Sequence, residues 1–283
     1  MTEQIAETRE MRALFSESRF VFLGEAIHGV AEFTRFRLAV AQRFFRENSL
    51  LLFEADSSGM LLSHLREEAA YLRLKNFPLV MRTQEILQLL AWGIDRQLPC
   101  LGIDCIPRHD LIDFPPNWQP QRRREVAEYL DMKSSTDYFE QRDAKMAGNL
   151  LSTAMNYPEH RMLVMLHNLH IKRRGSRENN GLRLRSVREY LEKILPAQSK
   201  SIAQLARGGT ALHNDLTPFN FQIDDPLSLE THPDAVSHAL FPASRIPPDR
   251  VAWHHAFERE TVPVREQYEG CLVYGRVHLP GLV

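Results

Sequence analysis

Four apolar runs in this chain each close on side chains that titrate. Arg19 to Glu25 reads RFVFLGE, Ser49 to Asp56 reads SLLLFEAD, Pro99 to Asp104 reads PCLGID, and Arg161 to Asn168 reads RMLVMLHN. Their ends carry Glu25, Glu54, Asp56, Asp104 and His167, and His28 and His170 follow shortly after the first and fourth. Carboxylates beside imidazoles suit general acid–base chemistry: the acid orients the ring, and the ring takes a proton from water. The pairs Glu25 with His28 and His167 with His170 would also suit a divalent cation. No HExxH or comparable zinc signature accompanies them, so no metal or other cofactor is expected. A GxSxG elbow, a Walker loop and a GxGxxG turn are all missing from the sequence, which removes the commonest nucleophile and nucleotide motifs. Cys100 and Cys105 fall in or just after an apolar run and read as buried hydrophobes rather than nucleophiles.

Positioning those residues requires a particular set of elements. Each run is continuous rather than alternating, the pattern of a strand covered on both faces. Helical periodicity fills the intervals 30–47, 60–74, 83–96 and 137–156, and further strands are expected over 201–206 and 271–279. Strands alternating with helices define an α/β protein with a mostly parallel central sheet flanked by helices. The proline-rich stretch 107–120 reads as a loop entering a short helix near 125–130, and 210–249 has no clear period. A single domain over 1–283 is expected, with a small helical and loop-built cap from about 107–136 and 210–249. In such sheets ligands bind outside the carboxyl ends of the strands, so the acids and imidazoles should share one rim.

The helix after the first run adds a second clue. Val30, Phe33, Val40, Ala41 and Phe44 form an apolar stripe, whereas Glu32, Arg35, Gln42, Arg43 and Arg46 lie opposite it. Arg37 sits inside the stripe, and a guanidinium there needs a carboxylate; Glu25 and Glu54 are the natural partners. Gly24 and Gly29 bracket a turn tight enough to place His28 between strand and helix, with Glu25 near enough to orient it as a general base.

Composition narrows the classes. At 283 residues with 43% hydrophobic and 25% charged side chains, the chain can bury a substantial core. A net charge of −1, from 35 basic and 36 acidic residues, gives no support for a nucleic-acid or membrane partner. The short basic runs 122–124 and 172–174 read as solvated surface. Three cysteines, an odd number without zinc spacing, argue against a disulfide framework and for a cytoplasmic setting, the alternative being secretion without a cleavable signal peptide. No apolar run is long enough to span a membrane, and residues 1–15 look like a charged helix rather than a signal peptide. His213, His232, His238, His254 and His255 show no usable spacing and are expected at the surface or in the cap.

At these residues the sequence resembles the erythromycin esterase family, including its succinoglycan biosynthesis-type proteins, as a shortened member. The family's GEATHG-like turn is similar to Gly24-Glu25-Ala26-Ile27-His28-Gly29, and its helix arginine falls at Arg37. FEAD matches Phe53 to Asp56, RTxE matches Arg82 to Glu85, and GxD matches Gly102 to Asp104. RDxxMAxN is similar to Arg142 through Asn149, and HNxH to His167, Asn168 and His170. The resemblance implies a hydrolase of a carboxylic ester or lactone, a small-molecule substrate, and no covalent nucleophile. In it His28 would activate water, Glu25 would position His28, and Arg37, Glu54, His167 and His170 would complete the catalytic set. Asp56, Asp104 and Arg142 would face the substrate. Two departures stand out: Ile27 replaces the usual threonine, and the helical insertion after the third strand is short, which implies a shallower, more open site. The alternative is an interaction module of the same fold with a protein partner, as in bacterial effector or haem-binding relatives.

Overall fold

The computed structural model describes residues 13–15, 18–234 and 240–283; the helical pattern over 1–15 and His238 lie largely or wholly outside them. The four apolar runs form strands β1 (Phe20–Leu23), β2 (Ser49–Asp56), β3 (Cys100–Asp104) and β4 (Arg161–Met165), and nearly every residue in them is buried. β5 (Ser199–Ala206) and β11 (Gly270–Tyr274) extend the sheet, and β8 (Leu240–Pro242) pairs antiparallel at its edge. The strand order is β3-β2-β4-β1-β5-β11-β8, all parallel except that edge. This is an α/β fold with a mostly parallel sheet.

Alternation along each strand divides the core between two faces. Phe20, Phe22, Leu50, Leu52, Met162 and Val164 pack on one side with Leu150 and Val187, from the Tyr138–Asn156 and Val187–Ile194 helices. Val21, Leu23, Leu51, Phe53, Leu163 and Met165 pack on the other with Val40 and Ile86, from the Ala31–Phe44 and Gln84–Asp95 helices. β1 therefore feeds a helix on one face while neighbouring β4 feeds a helix on the opposite face. That divergence opens a crevice at their carboxyl ends. Register sets the rim: Met165 lies beside both Leu23 and Phe53, so Glu25, Glu54 and His167 leave the sheet together. A register shift between Phe53 and Asp56 brings Asp56 beside Asp104.

Several elements differ from the sequence reading. The interval 60–74 is not one helix: Asp56 accepts from Gly59 N at 3.1 Å and caps a helix over Ser57–Leu65, after which Glu67 takes a left-handed conformation. A short helix, Ala70–Arg73, follows the break. The expected short helix at 125–130 is instead Gln119–Lys133, begun by Pro120 near its N-terminus. Within 210–249 the chain forms a hairpin of β6 (Gly208–Leu212) and β7 (Pro218–Gln222) rather than loops alone. Farther on, β9 (Trp253–His254) and β10 (Glu258–Arg259) make a second small hairpin. Glu32 is buried rather than solvent-facing, because His278 donates its backbone N–H to it at 2.9 Å and caps the same helix through its carbonyl. All three cysteines are free thiols, and burial pushes both Cys100 and Cys105 up to about 12. Among the described residues no helix is long and apolar enough to cross a membrane.

Candidate active site

The turn after β1 is built by close approach. Gly24 has no room for a side chain, since a Cβ there would lie 2.0 Å from Asn168 Oδ1. Gly29 has φ +67, and a Cβ would meet Leu212 at 2.6 Å. The loop after β4 is sewn to this turn: Asn168 N donates to Glu25 O at 2.8 Å, and its side-chain amide donates to Gln204 O at 3.1 Å.

Within that frame Glu25 and His28 form a dyad. His28 Nδ1 lies 2.7 Å from Glu25 Oε1, and Arg37 Nη1 lies 3.2 Å from the other carboxylate oxygen. Arg37 is wholly buried; its Nη2 donates to Leu166 O at 2.8 Å and Leu23 O at 3.3 Å, tying together the ends of β1 and β4. Since Glu25 accepts the proton on Nδ1, Nε2 carries the lone pair, and among the described residues no group bonds to it. The His28 side chain is 14% exposed, against 4% for Glu25 and 0% for Arg37, so the ring alone reaches solvent.

A second network lies behind the dyad. Glu54 accepts from Arg142 Nη2 at 2.7 Å and from His167 N at 2.9 Å, and Arg142 also clasps Asp104 through Nε at 3.0 Å and Nη2 at 2.9 Å. His170 Nδ1 lies 2.7 Å from Asp143 Oδ1, whose second oxygen accepts from Val187 N at 3.1 Å. Burial alone would raise the Glu54 carboxyl, yet His170 and Arg142 beside it hold it well below the usual range. Burial opposes the charged form of His170 too, but Asp143 and Glu54 overcome it and lift the ring to about 10. His170 is therefore an imidazolium locked between carboxylates, and Arg142 a buried cation serving two acids.

His167 behaves differently. Its Nε2 donates to Ala26 O at 2.8 Å, while Nδ1 accepts from Leu169 N at 3.2 Å, so both nitrogens are committed in one tautomer. Burial, with His255 and His254 close by, keeps this ring uncharged, well below the usual histidine range.

Of the residues expected at the substrate, Asp104 and Arg142 are consumed by each other and Glu54. Asp56 is taken up by Arg122, at 2.5 and 3.1 Å, by Arg108 N and by its capping role. It borders a cavity of about 300 Å³ lined also by Ser57, Cys105, Arg122, Tyr129 and Lys145, which contains none of the dyad. A second cavity, near Glu25 and Gly29, is only about 10 Å³ and is not lined by His28. Sequence spacing overlooked His254 and His255. The β9–β10 hairpin sets their rings 4.7 and 4.4 Å from His167, and His255 6.2 Å from His28. Their only prior signal was adjacency in a histidine pair, which says nothing about a contact made across the fold.

Fold and rim together define an α/β protein whose parallel sheet presents an acid–imidazole edge. Its architecture is that of a succinoglycan biosynthesis protein, to which it is similar at 12% identity with a TM-score of 0.78 over all of this chain and 94% of that one. A mutant of erythromycin esterase EreC in its open conformation shares the fold at 13% identity and a TM-score of 0.67, over 96% and 94% of the two chains. A protein from Bacillus cereus does so at 13% identity and a TM-score of 0.76, over 97% and 92%. No sequence-family profile and no curated protein sequence matches the chain.

Proposed function

We propose that the protein is a hydrolase that cleaves a carboxylic ester or lactone by direct attack of water activated by His28. One observation carries this reading: His28 is held at 2.7 Å by a carboxylate that a fully buried arginine holds in turn, and its other nitrogen faces the surface. A ring fixed by an acid on one side and open on the other is a poised general base. Water would give its proton to Nε2 as its oxygen adds to the substrate carbonyl. Glu25 would stabilise the imidazolium so formed, and the ring would then return the proton to the departing alkoxide, leaving a carboxylic acid and an alcohol. Glu54, Arg142, Asp104, Asp143 and His170 would act from behind, fixing the strand ends that carry the dyad. The likeness to an erythromycin esterase structure agrees with ester chemistry.

A panel of activated esters and lactones, assayed with the parent protein and His28→Ala, tests the proposal. Turnover by the parent that falls at least about a hundredfold in the variant is expected; equal rates in the two proteins would remove His28 from the chemistry.

A further inference from the structure

Hydrolysis needs a donor for the negative charge that grows on the carbonyl oxygen. None of the catalytic side chains singled out from the sequence presents one at the surface. Arg37 is ion-paired with Glu25 and bonded through Nη2 to Leu23 O and Leu166 O; among the described residues its Nε and Nη1 have no hydrogen-bond partner, but the side chain is sealed from solvent. The His167 N–H is spent on Ala26 O, and His170 is enclosed by Asp143, Glu54 and Arg142.

The β9–β10 hairpin supplies what is missing. Phe257 N donates to His254 O at 3.0 Å, closing a β-turn within the three-residue hairpin loop 255–257, and its central residues, His255 and Ala256, have φ of 50° and 62°. Such turns favour Asn-Gly, because side chains in the left-handed region cost roughly 1 kcal/mol each. Here two ordinary L-residues occupy both positions, and strain of this kind gathers at functional sites. The strain has a visible result. The backbone N–H of His255 donates at 3.1 Å to Ala26 O, inside the same turn as Glu25 and His28. The His255 ring is thereby held 6.2 Å from the His28 ring, partly buried, and among the described residues no group bonds to its ring nitrogens.

We propose that His255 is a further catalytic residue, whose uncharged ring donates an N–H to the substrate carbonyl oxygen as water activated by His28 adds to the carbon. This rests on the hydrolase reading above. The donor keeps its proton throughout: the carbonyl π pair moves onto the oxygen, His255 stabilises it by a hydrogen bond, and the proton from water resides on His28. Burial, reinforced by His28, lowers the His255 ring to about 4, so at neutral pH it donates as a neutral group rather than as an acid.

The test compares kcat and KM for one turned-over ester across the parent, His255→Ala, His255→Gln and Ala256→Gly. His255→Ala should lower kcat by about a hundredfold to a thousandfold, the loss typical of one oxyanion donor, with KM nearly unchanged. Glutamine, which restores an N–H, should recover at least a tenth of the parental rate, whereas a purely packing role would give no such recovery. Ala256→Gly, which relieves the turn without touching the ring, should keep the parental kcat. Parental kcat in His255→Ala, or a fall that glutamine does not restore, overturns this inference and leaves the dyad standing. A parent that hydrolyses no ester overturns both.

Discussion

Replacing Glu25 by glutamine probes the dyad by changing one atom. Arg37 Nη1 lies 3.2 Å from Glu25 Oε2, and a guanidinium only donates, so the amide oxygen must face Arg37. The amide NH2 is then turned toward His28 Nδ1, 2.7 Å away. To accept that N–H, His28 must move its own proton to Nε2, the nitrogen that has to receive the proton of water. The wrong tautomer of a catalytic histidine costs about 10⁴ in kcat where an acid normally fixes it, about 5 kcal/mol in barrier. A loss of about 10³–10⁴ is therefore expected for Glu25→Gln, against a KM that changes little. Ester hydrolysis under saturating substrate measures it, with circular dichroism and urea unfolding to show that the fold persists. A folded Glu25→Gln protein retaining a tenth or more of the parental kcat would refute the tautomer argument and the role assigned to Arg37 in it.

Other consequences are structural. Arg37→Ala leaves Glu25 buried without its cation and frees two backbone carbonyls, so urea unfolding should show a loss of about 3–5 kcal/mol. Gly29→Ala puts a Cβ at φ +67 and 2.6 Å from Leu212, which should cost about 1–3 kcal/mol and lower turnover by displacing His28. His170 is raised from its ordinary value to about 10 in the folded state, so its contribution is complete below about pH 6.5 and disappears as pH climbs through 10. Denaturant unfolding from pH 6 to 10.5 should therefore show a decline on the order of a few kcal/mol that His170→Asn largely abolishes; an identical decline in the variant would contradict the assignment.

Much of the rim was legible because its signals are local. A continuous apolar run ending in an acid marks a buried strand and its exit, which is why the sequence alone aligns Glu25, Glu54 and Asp104. Arg37 was readable because a single charge inside an apolar helical stripe demands a partner. The unread parts depend on distant chain. Glu32 is buried by His278 near the other end of the chain, a contact with no periodic trace. The Gln119–Lys133 helix buries only Arg122 and Met132, so it lacks the apolar stripe that announces a helix. His254 and His255 reach the site through a turn whose residues favour no such conformation, and sequence propensity points away from it. The donors of His167 and His170 are taken by a carbonyl and by carboxylates, and those of Arg37 are sealed from solvent; nothing in a motif reveals either.

Chemical rescue examines the proposed base most directly. In His28→Gly, a protein with a small void where the imidazole stood, hydrolysis of a chosen ester should fall to near background and rise again in proportion to added free imidazole. Parental turnover by His28→Gly with no imidazole present would contradict the account.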